Sequence, residues 1–207
     1  GRKRVLRLMR EARLLSPHRR PQGDTKSHEG RITTDQPDEI WATDGTNVQT
    51  VEDGKVWIFV AVDHFNAECV GAYVSKKGTR FAALQPLAQG LKTYRGGTAC
   101  DAGRGITTRQ DHGSQYTSDT YCNQVRAWGM SLSFAFVGEP ETNGVAERFI
   151  RTLKEQIIYG RIYRGVEDLR RAVDGFVRTY NSQWRPEKLG YCTPLEARAA
   201  AQLQMAA

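Results

Sequence analysis

The sequence predicts an α/β domain in which a mixed sheet is flanked by helices, and three observations carry that reading. Three strand-like runs bounded by turn signals follow one another in quick succession; after them helical and strand-like segments alternate; and the helical segments carry apolar residues at helical spacing. The chain has 207 residues, 39% hydrophobic and 26% charged, enough for one well-buried domain with an appendage. A disordered tail protein is excluded.

The first three runs are Ile40 to Gln49, Lys55 to Val62 and Ala67 to Ser75, separated by Glu52-Asp53-Gly54 and Asp63-His64-Phe65-Asn66, and they read as an antiparallel meander. Residues 79 to 94 place Phe81, Leu84, Leu87, Ala88 and Leu91 on one helical face. A Gly-rich loop then leads to a short strand at Gly105 to Arg109, a helix from Ser118 to Trp128, a short strand at Ser131 to Phe134 and a loop ending in Gly138-Glu139-Pro140. A long helix over Thr142 to Tyr159 and another over Glu167 to Asn181 follow. Trp128 and Phe134 read as core and Trp184 as packing of the last segment, and no internal repeat is visible.

The net charge is +7, and it is unevenly placed. Residues 1 to 20 hold Arg2, Lys3, Arg4, Arg7, Arg10, Arg13, Arg19 and Arg20 against Glu11 alone, so this arm carries the whole excess and the remaining body is neutral. Val5, Leu8, Met9 and Ala12 recur between these cations at helical spacing, which predicts an amphipathic helix over residues 3 to 15 with a cationic outer face. Such an arm suits an anionic partner, although charge runs are often no more than solvated faces. Ser16 to Asp38 is rich in Pro, Gly, Ser, Thr and charge without an apolar period. The layout expected is a basic helical region at 1–20, a linker at 21–37, a core at 38–200 and a tail at 201–207. The absence of an initial Met, inside a helical pattern, suggests a fragment or processed chain with a domain upstream.

No run approaches the roughly 18 apolar residues of a membrane span, and the amino end lacks the apolar stretch of a secretory signal. The expectation is a soluble cytoplasmic protein with no membrane partner. Cys69, Cys100, Cys122 and Cys192 lie far apart with no CxxC pair, so they read as reduced core thiols.

Three acids stand where a solvated charge is not expected. Asp44 follows Ile40, Trp41 and Ala42 inside the first strand, Asp111 sits just past the Gly105 to Arg109 strand, and Glu147 lies among Val145, Ala146, Phe149 and Ile150. Taken singly, each reads as an edge residue, a cap or a solvent-facing helix position. Taken jointly, hard oxygen ligands on separate rigid elements are what two divalent cations about 4 Å apart require in phosphoryl transfer. Clustered carboxylates repel one another unless cations lie between them, which makes an accidental cluster improbable.

Thirty-five residues separate Asp111 from Glu147, and the surrounding words are WATD at 41–44, RQDHGSQY at 109–116 and NGVAERFIRTLKEQ at 143–156. With YNSQWRPEKLGYCTP at 180–194, these resemble the catalytic core of bacterial insertion-sequence transposases of the IS-three family, relatives of retroviral integrases with an Asp, Asp, thirty-five, Glu signature. The similarity covers about residues 38 to 197, and RVLRLMREARLL resembles the end of that family's helix-turn-helix region. Two departures stand out: Arg109 and Gln110 replace the more common His and Ser before the second acid, and Gly45 stands where Ile often follows the first.

The resemblance implies a ribonuclease H-like fold with a five-stranded mixed sheet. It further implies Asp44, Asp111 and Glu147 as catalytic residues and ligands of two Mg²⁺ or Mn²⁺ ions, and an enzyme of metal-dependent DNA cleavage and strand transfer. DNA, as element ends and target, would be the partner, with a homo-oligomer on DNA. The setting would be the bacterial cytoplasm, with association to the nucleoid during action. Asn143, Glu147, Arg151 and Lys154 fall at steps of four, four and three along one helix face. Asn143, Arg151 and Lys154 are therefore candidate DNA contacts, with a Glu147–Arg151 ion pair as the plainer alternative. Arg4 and Arg7 are candidates on the arm. His112 reads either as a contact to the scissile phosphate or as a hydrogen-bonding support behind a ligand. Gly113 and Ser114 offer a turn whose backbone donors suit phosphate. The rivals are a ribonuclease H-like nuclease that only hydrolyses and a catalytically silent DNA-binding remnant.

Overall fold

Turn chemistry closes the meander. β1 (Ile40–Thr50) runs into β2 (Gly54–Asp63) through a turn at Gly54, whose φ of 63° is left-handed and suits glycine. The two strands pair antiparallel from Trp41 opposite Asp63 to Thr50 opposite Gly54, and β3 (Cys69–Ser75) pairs antiparallel with the outer edge of β2. The computed structural model describes residues 1–12, 14, 33–134 and 143–206. They fall into two units, Gly1–Arg31 and Ile32–Ala207.

In the first unit, α1 spans Arg2–Glu11 and ends sooner than the expected residue 15. Arg4 and Arg7 are exposed on it, as are Val5, Leu8 and Met9, and Arg7 pairs with Glu11 one turn on at 3.7 Å. The body of the expected linker, 21–32, lies outside the described residues, as does the expected loop at Gly138-Glu139-Pro140.

In the second unit, α2 (Arg80–Arg95) follows β3, starting at Thr79, whose hydroxyl accepts the Ala82 N–H, and ending on left-handed Gly96. β4 (Thr107–Gln110), α3 (Asp119–Ala127) and β5 (Ser131–Phe134) come next. α4 (Gly144–Leu153) passes into a π-helical turn at Lys154–Ile158, so the single long helix expected from Thr142 to Tyr159 changes its winding. α5 (Val166–Gln183), a short 3₁₀ turn at Glu187–Leu189 and α6 (Pro194–Ala206) complete the chain. The residues expected as a tail from 201 continue α6 to Ala206, and Ala201 is buried.

The sheet order is β3-β2-β1-β4-β5, with β1, β4 and β5 parallel and β2 and β3 antiparallel to their neighbours. Successive side chains of β2 point to opposite faces and both faces are covered. Val56, Ile58, Val60 and Val62 meet Phe149, Ile150 and Leu153 of α4 and Leu169, Val173 and Phe176 of α5. Phe59 and Ala61, with Trp41 of β1, meet Leu84, Leu87 and Leu91 of α2 and Tyr121 and Val125 of α3. The result is the helix-sheet-helix architecture and five-stranded mixed sheet that the sequence predicts. Of the cysteines only Cys69 is fully buried; Cys100 and Cys192 are exposed and Cys122 is partly so, which corrects the expectation of four core thiols.

The start of the sheet is tied to α6 by a buried charge network. Arg198 donates to both carboxylate oxygens of Asp38, at 2.9 and 3.1 Å, to Asp63 at 3.2 Å and to Glu68, and its guanidinium lies 4.0 Å from the Tyr94 ring centroid. Asp63 also accepts the backbone N–H groups of Asp38 and Phe65, which closes the expected turn after β2.

His64, in that turn, is buried, and burial pushes its imidazole down to about 4, with repulsion from Lys188 and Arg109 adding to the effect. The folded protein thus binds this proton less tightly than the unfolded chain does, where the ordinary value is near 6.5. The stabilisation is fully present above pH ~6.5 and is lost as pH falls toward ~4. Between pH 7 and 5 the thermal midpoint is expected to fall roughly 4–8 °C further in the unsubstituted protein than in His64→Gln, measured by differential scanning calorimetry. Equal pH slopes would remove His64 from this account.

Candidate active site

The register of β1 against β4 brings two of the three acids together. The strands are parallel, with Ala42 opposite Arg109, so continuing the ladder by two residues sets Asp44 opposite Asp111. Adjacent strands lie about 4.8 Å apart. Residues two apart share a face, so both carboxylates occupy the face that carries Ala42 and, across β2, Val60 and Val62. That is the face covered by α4 and α5.

α4 lies on it for a simple reason. Ala146, Phe149, Ile150 and Leu153 recur at steps of three, one and three, form one apolar stripe and are buried. Glu147 stands at the margin of this stripe, half-buried, while Arg151 is exposed and Lys154 partly so. Asn143 sits immediately before the helix, and its amide donates to the Thr43 carbonyl at 3.1 Å. This bond pins the start of α4 to the strand residue preceding Asp44. Asn143, expected as a DNA contact, is buried here with its amide on the Thr43 carbonyl.

The three acids lie close enough to act on one another electrostatically. Burial is the main force that pushes Asp44 up to about 6; the Gly45 N–H, donating to Asp44 Oδ1 at 2.7 Å, and the more distant Lys154 oppose it, whereas Asp111 and Glu147 reinforce it by repulsion. Glu147 is raised chiefly by burial and further by Asp111, with Arg151 pulling the other way. Arg151, one turn on, thus acts on Glu147 through space without forming the ion pair that the plainer helix reading expected, and Glu147 also feels Asp111. Asp111 is exposed and accepts the Gly113 N–H at 2.8 Å. That donor, expected to be available to phosphate, is already used to hold Asp111.

Two supporting residues were not legible as such. Tyr116 is buried, and burial above all, then Tyr121 and the charges of Asp44 and Asp111, keeps its phenol protonated; it meets Tyr121 edge-on at 5.3 Å. Gly45, the departure beside the first acid, faces Phe59 across the ladder, and a Cβ there would lie 2.8 Å from that ring. Phe59 thus fills the space that a larger residue would take. His112 is exposed and stacks on Phe134, with centroids 5.4 Å apart and planes 23° apart; Phe134, expected as core, is only partly buried. Arg109 is buried and donates to Ser133 at 2.8 Å. Among the described residues, no group of three His, Cys, Asp or Glu side chains is close enough to hold one ion in the arrangement seen.

A five-stranded mixed sheet between two helical layers, with one acid in its central strand and a second just past the parallel strand beside it, defines the ribonuclease H-like class. The solved structures bear the fold out. The catalytic core domain of BIV integrase superposes with a TM-score of 0.60 at 20% identity, covering 82% of this chain and 99% of that one. The HTLV-2 integrase catalytic core domain in complex with magnesium does so with a TM-score of 0.53 at 17% identity, covering 79% and 97%. The chain belongs to the integrase core domain family, whose models match residues 34–140 and 128–194.

Its curated relatives are insertion-sequence transposases. The transposase for insertion sequence element IS629 of Shigella sonnei is 28% identical over 82% of this chain and 55% of its own length. The putative transposase InsK for IS150 of Escherichia coli strain K12 is 28% identical over 79% and 55%. The putative transposase InsD for IS2E of the same strain is 26% identical over 94% and 89%. The chain therefore spans about half the length of the first two. No helix among the described residues is long and apolar enough to cross a membrane.

Proposed function

We propose that the Ile32–Ala207 unit is the catalytic domain of a DDE transposase, cutting DNA at the ends of a mobile element and joining the freed strands to a second phosphodiester. The observation that carries this reading is the register that sets Asp44 opposite Asp111 beneath the helix bearing Glu147. Family membership and the insertion-sequence relatives support it. The donor set fits hard divalent cations, being all carboxylate oxygen, and the mutual repulsion that raises Asp44 is what such cations relieve.

Two bound Mg²⁺ or Mn²⁺ ions would activate the attacking oxygen and stabilise the leaving one. Asp44, Asp111 and Glu147 would hold the pair. Asp44 comes from β1, Asp111 from just past the neighbouring β4, and Glu147 from α4. Asn143 anchors that helix, the Gly45 and Gly113 N–H groups orient the two aspartates, and Arg151 and Lys154 present cations to the phosphodiester. In the first step water attacks the phosphorus and the bond to the 3′ oxygen breaks, leaving a 3′ hydroxyl. In the second that hydroxyl attacks another phosphodiester, forming one P–O bond as one breaks. The protein's part is positioning and charge.

The partners in this reading are element-end and target DNA, bound by a dimer or larger homo-oligomer because two ends must be paired. The setting is the bacterial cytoplasm, at the nucleoid during action. Arg4 and Arg7 of the basic arm would add salt-sensitive phosphate contacts. The test is incubation of the protein with its element-end duplexes and a supercoiled plasmid in Mg²⁺. Joined product is expected. Hydrolysis without joined product would make the protein a nuclease, and DNA binding without either reaction would make it a silent remnant.

A further inference from the structure

The parallel ladder between β1 and β4 stops one bond short of Asp111, and the side chain that opens α4 takes the place of that bond. The Thr107 N–H donates to the Glu39 carbonyl at 2.8 Å, and Ala42 opposite Arg109 is the last pair. Bonds from β4 recur at every second residue of a parallel pair, so Trp41 and then Thr43 are the next acceptors, and a continued strand would give the Thr43 carbonyl to the Asp111 N–H. That carbonyl accepts the Asn143 amide instead, at 3.1 Å. Asp111 leads out of the strand into a turn, its carboxylate accepting the Gly113 N–H at 2.8 Å while the Gly113 carbonyl accepts the Tyr116 N–H at 2.9 Å.

An asparagine at the start of a helix ordinarily accepts an N–H of the first turn through its side chain. Asn143 makes no such cap, and its Oδ1 is buried without a partner among the described residues. A cap forgone and a buried acceptor left unpaired both lower stability, so packing of the helix start does not explain the arrangement. What the bond secures is alignment. Asn143 and Glu147 are four residues apart and share a helix face, so fixing the one orients the other. The acceptor that fixes Asn143 belongs to the residue before Asp44 and faces the strand that leads to Asp111.

We propose that Asn143 is a positioning residue for the cation site: by taking the end of the β1–β4 ladder, its amide sets Glu147 against Asp44 and Asp111 and so sets the affinity for divalent cations. This rests on the transposase reading and gives Asn143 a part distinct from touching DNA. One buried hydrogen bond serves all three carboxylates, since Thr43 adjoins Asp44, the ladder leads to Asp111 and the helix carries Glu147. Contact with DNA is the competing role, and it depends on the side chain reaching the substrate where positioning depends on the Thr43 carbonyl.

The experiment compares the full unsubstituted protein with Asn143→Leu, which keeps the branched shape without a donor, and with Asn143→Ala. Mn²⁺ binding is read without DNA by electron paramagnetic resonance, affinity for the element-end duplex by fluorescence anisotropy in EDTA, and joining across a range of Mg²⁺ concentrations. Both variants are expected to need on the order of 10-fold more Mn²⁺ for half-occupancy and on the order of 10-fold more Mg²⁺ for half-maximal joining, with joining at saturating Mg²⁺ within about 3-fold of the unsubstituted protein. Affinity for the duplex in EDTA should not change. Thermal midpoints show which variants are folded, and should one not fold, the other decides. The proposal is overturned if the folded variants and the unsubstituted protein bind Mn²⁺ alike, which would make the bond a structural one. It is overturned equally if the loss lies in duplex affinity in EDTA, which would make Asn143 a DNA contact. Were the unsubstituted protein to bind Mn²⁺ but not join DNA, the transposase reading would fall while the Mn²⁺ titration still decided Asn143.

Discussion

Replacement of Asp44 by Asn is expected to lower DNA joining about 10³-fold while leaving the domain folded and no less stable. The two halves of this result have one cause. In the folded protein Asp44 is half-buried, opposite Asp111 and within reach of Glu147, so its charge is held against desolvation and repulsion. Asn keeps the shape and the acceptor for the Gly45 N–H but removes the charge. Without cations the substitution therefore relieves an unfavourable interaction, and the thermal midpoint near neutral pH should stay level or rise by about 2–4 °C. With Mg²⁺ and DNA the same charge is what the proposed chemistry needs. Joining assays and calorimetry on one preparation check both. A midpoint that falls steeply would make Asp44 a structural residue, and unimpaired joining would remove it from the site.

The second large effect is structural and lies outside the proposed chemistry. Arg198→Met is expected to cost about 3–5 kcal/mol and to lower the thermal midpoint by about 6–20 °C. Arg198 is almost fully buried and ties α6 to Asp38 before β1, to Asp63 at the end of β2 and to Glu68 ahead of β3. Removing it strands these carboxylates in a low-dielectric site with no cation among the partners seen. Lysine is not expected to rescue, because one ammonium cannot reproduce the fork that serves Asp38 through two nitrogens and Glu68 through a third. Neutralising partners should help instead, and Arg198→Met combined with Glu68→Gln and Asp63→Asn should regain a large part of the midpoint. If Arg198→Met alone leaves the midpoint unchanged, the network does not hold α6 to the sheet.

The contrast between these residues shows what the sequence made legible. Asp44, Asp111 and Glu147 are visible because each breaks a local pattern, an acid in a strand, at a strand end or beside an apolar helix stripe, and because long words surround them. The five strands and the helices α2, α3, α4 and α5 follow from turn signals and periodicity, and their limits fall within a few residues of those expected. What local pattern does not carry is pairing between distant segments. No motif or spacing marks Arg198, and only contacts 130 and 160 residues away reveal it as buried. The Ala42–Arg109 register that aligns the aspartates is likewise a long-range fact. Asn143 looked like a DNA contact because its spacing places it with Glu147, yet its partner is Thr43, a hundred residues earlier. Gly113 looked like a free donor until Asp111 was seen to accept its N–H.

The central claim is that Asp44, Asp111 and Glu147 together hold the cations of a strand-joining site. It is tested most directly by crystals of the protein with its element-end DNA grown in Mn²⁺, with the ions located by anomalous scattering. Two peaks about 4 Å apart are predicted, held between Asp44, Asp111 and Glu147. Ions bound elsewhere, or joined DNA in the crystal with no ion on Asp44, would contradict the account.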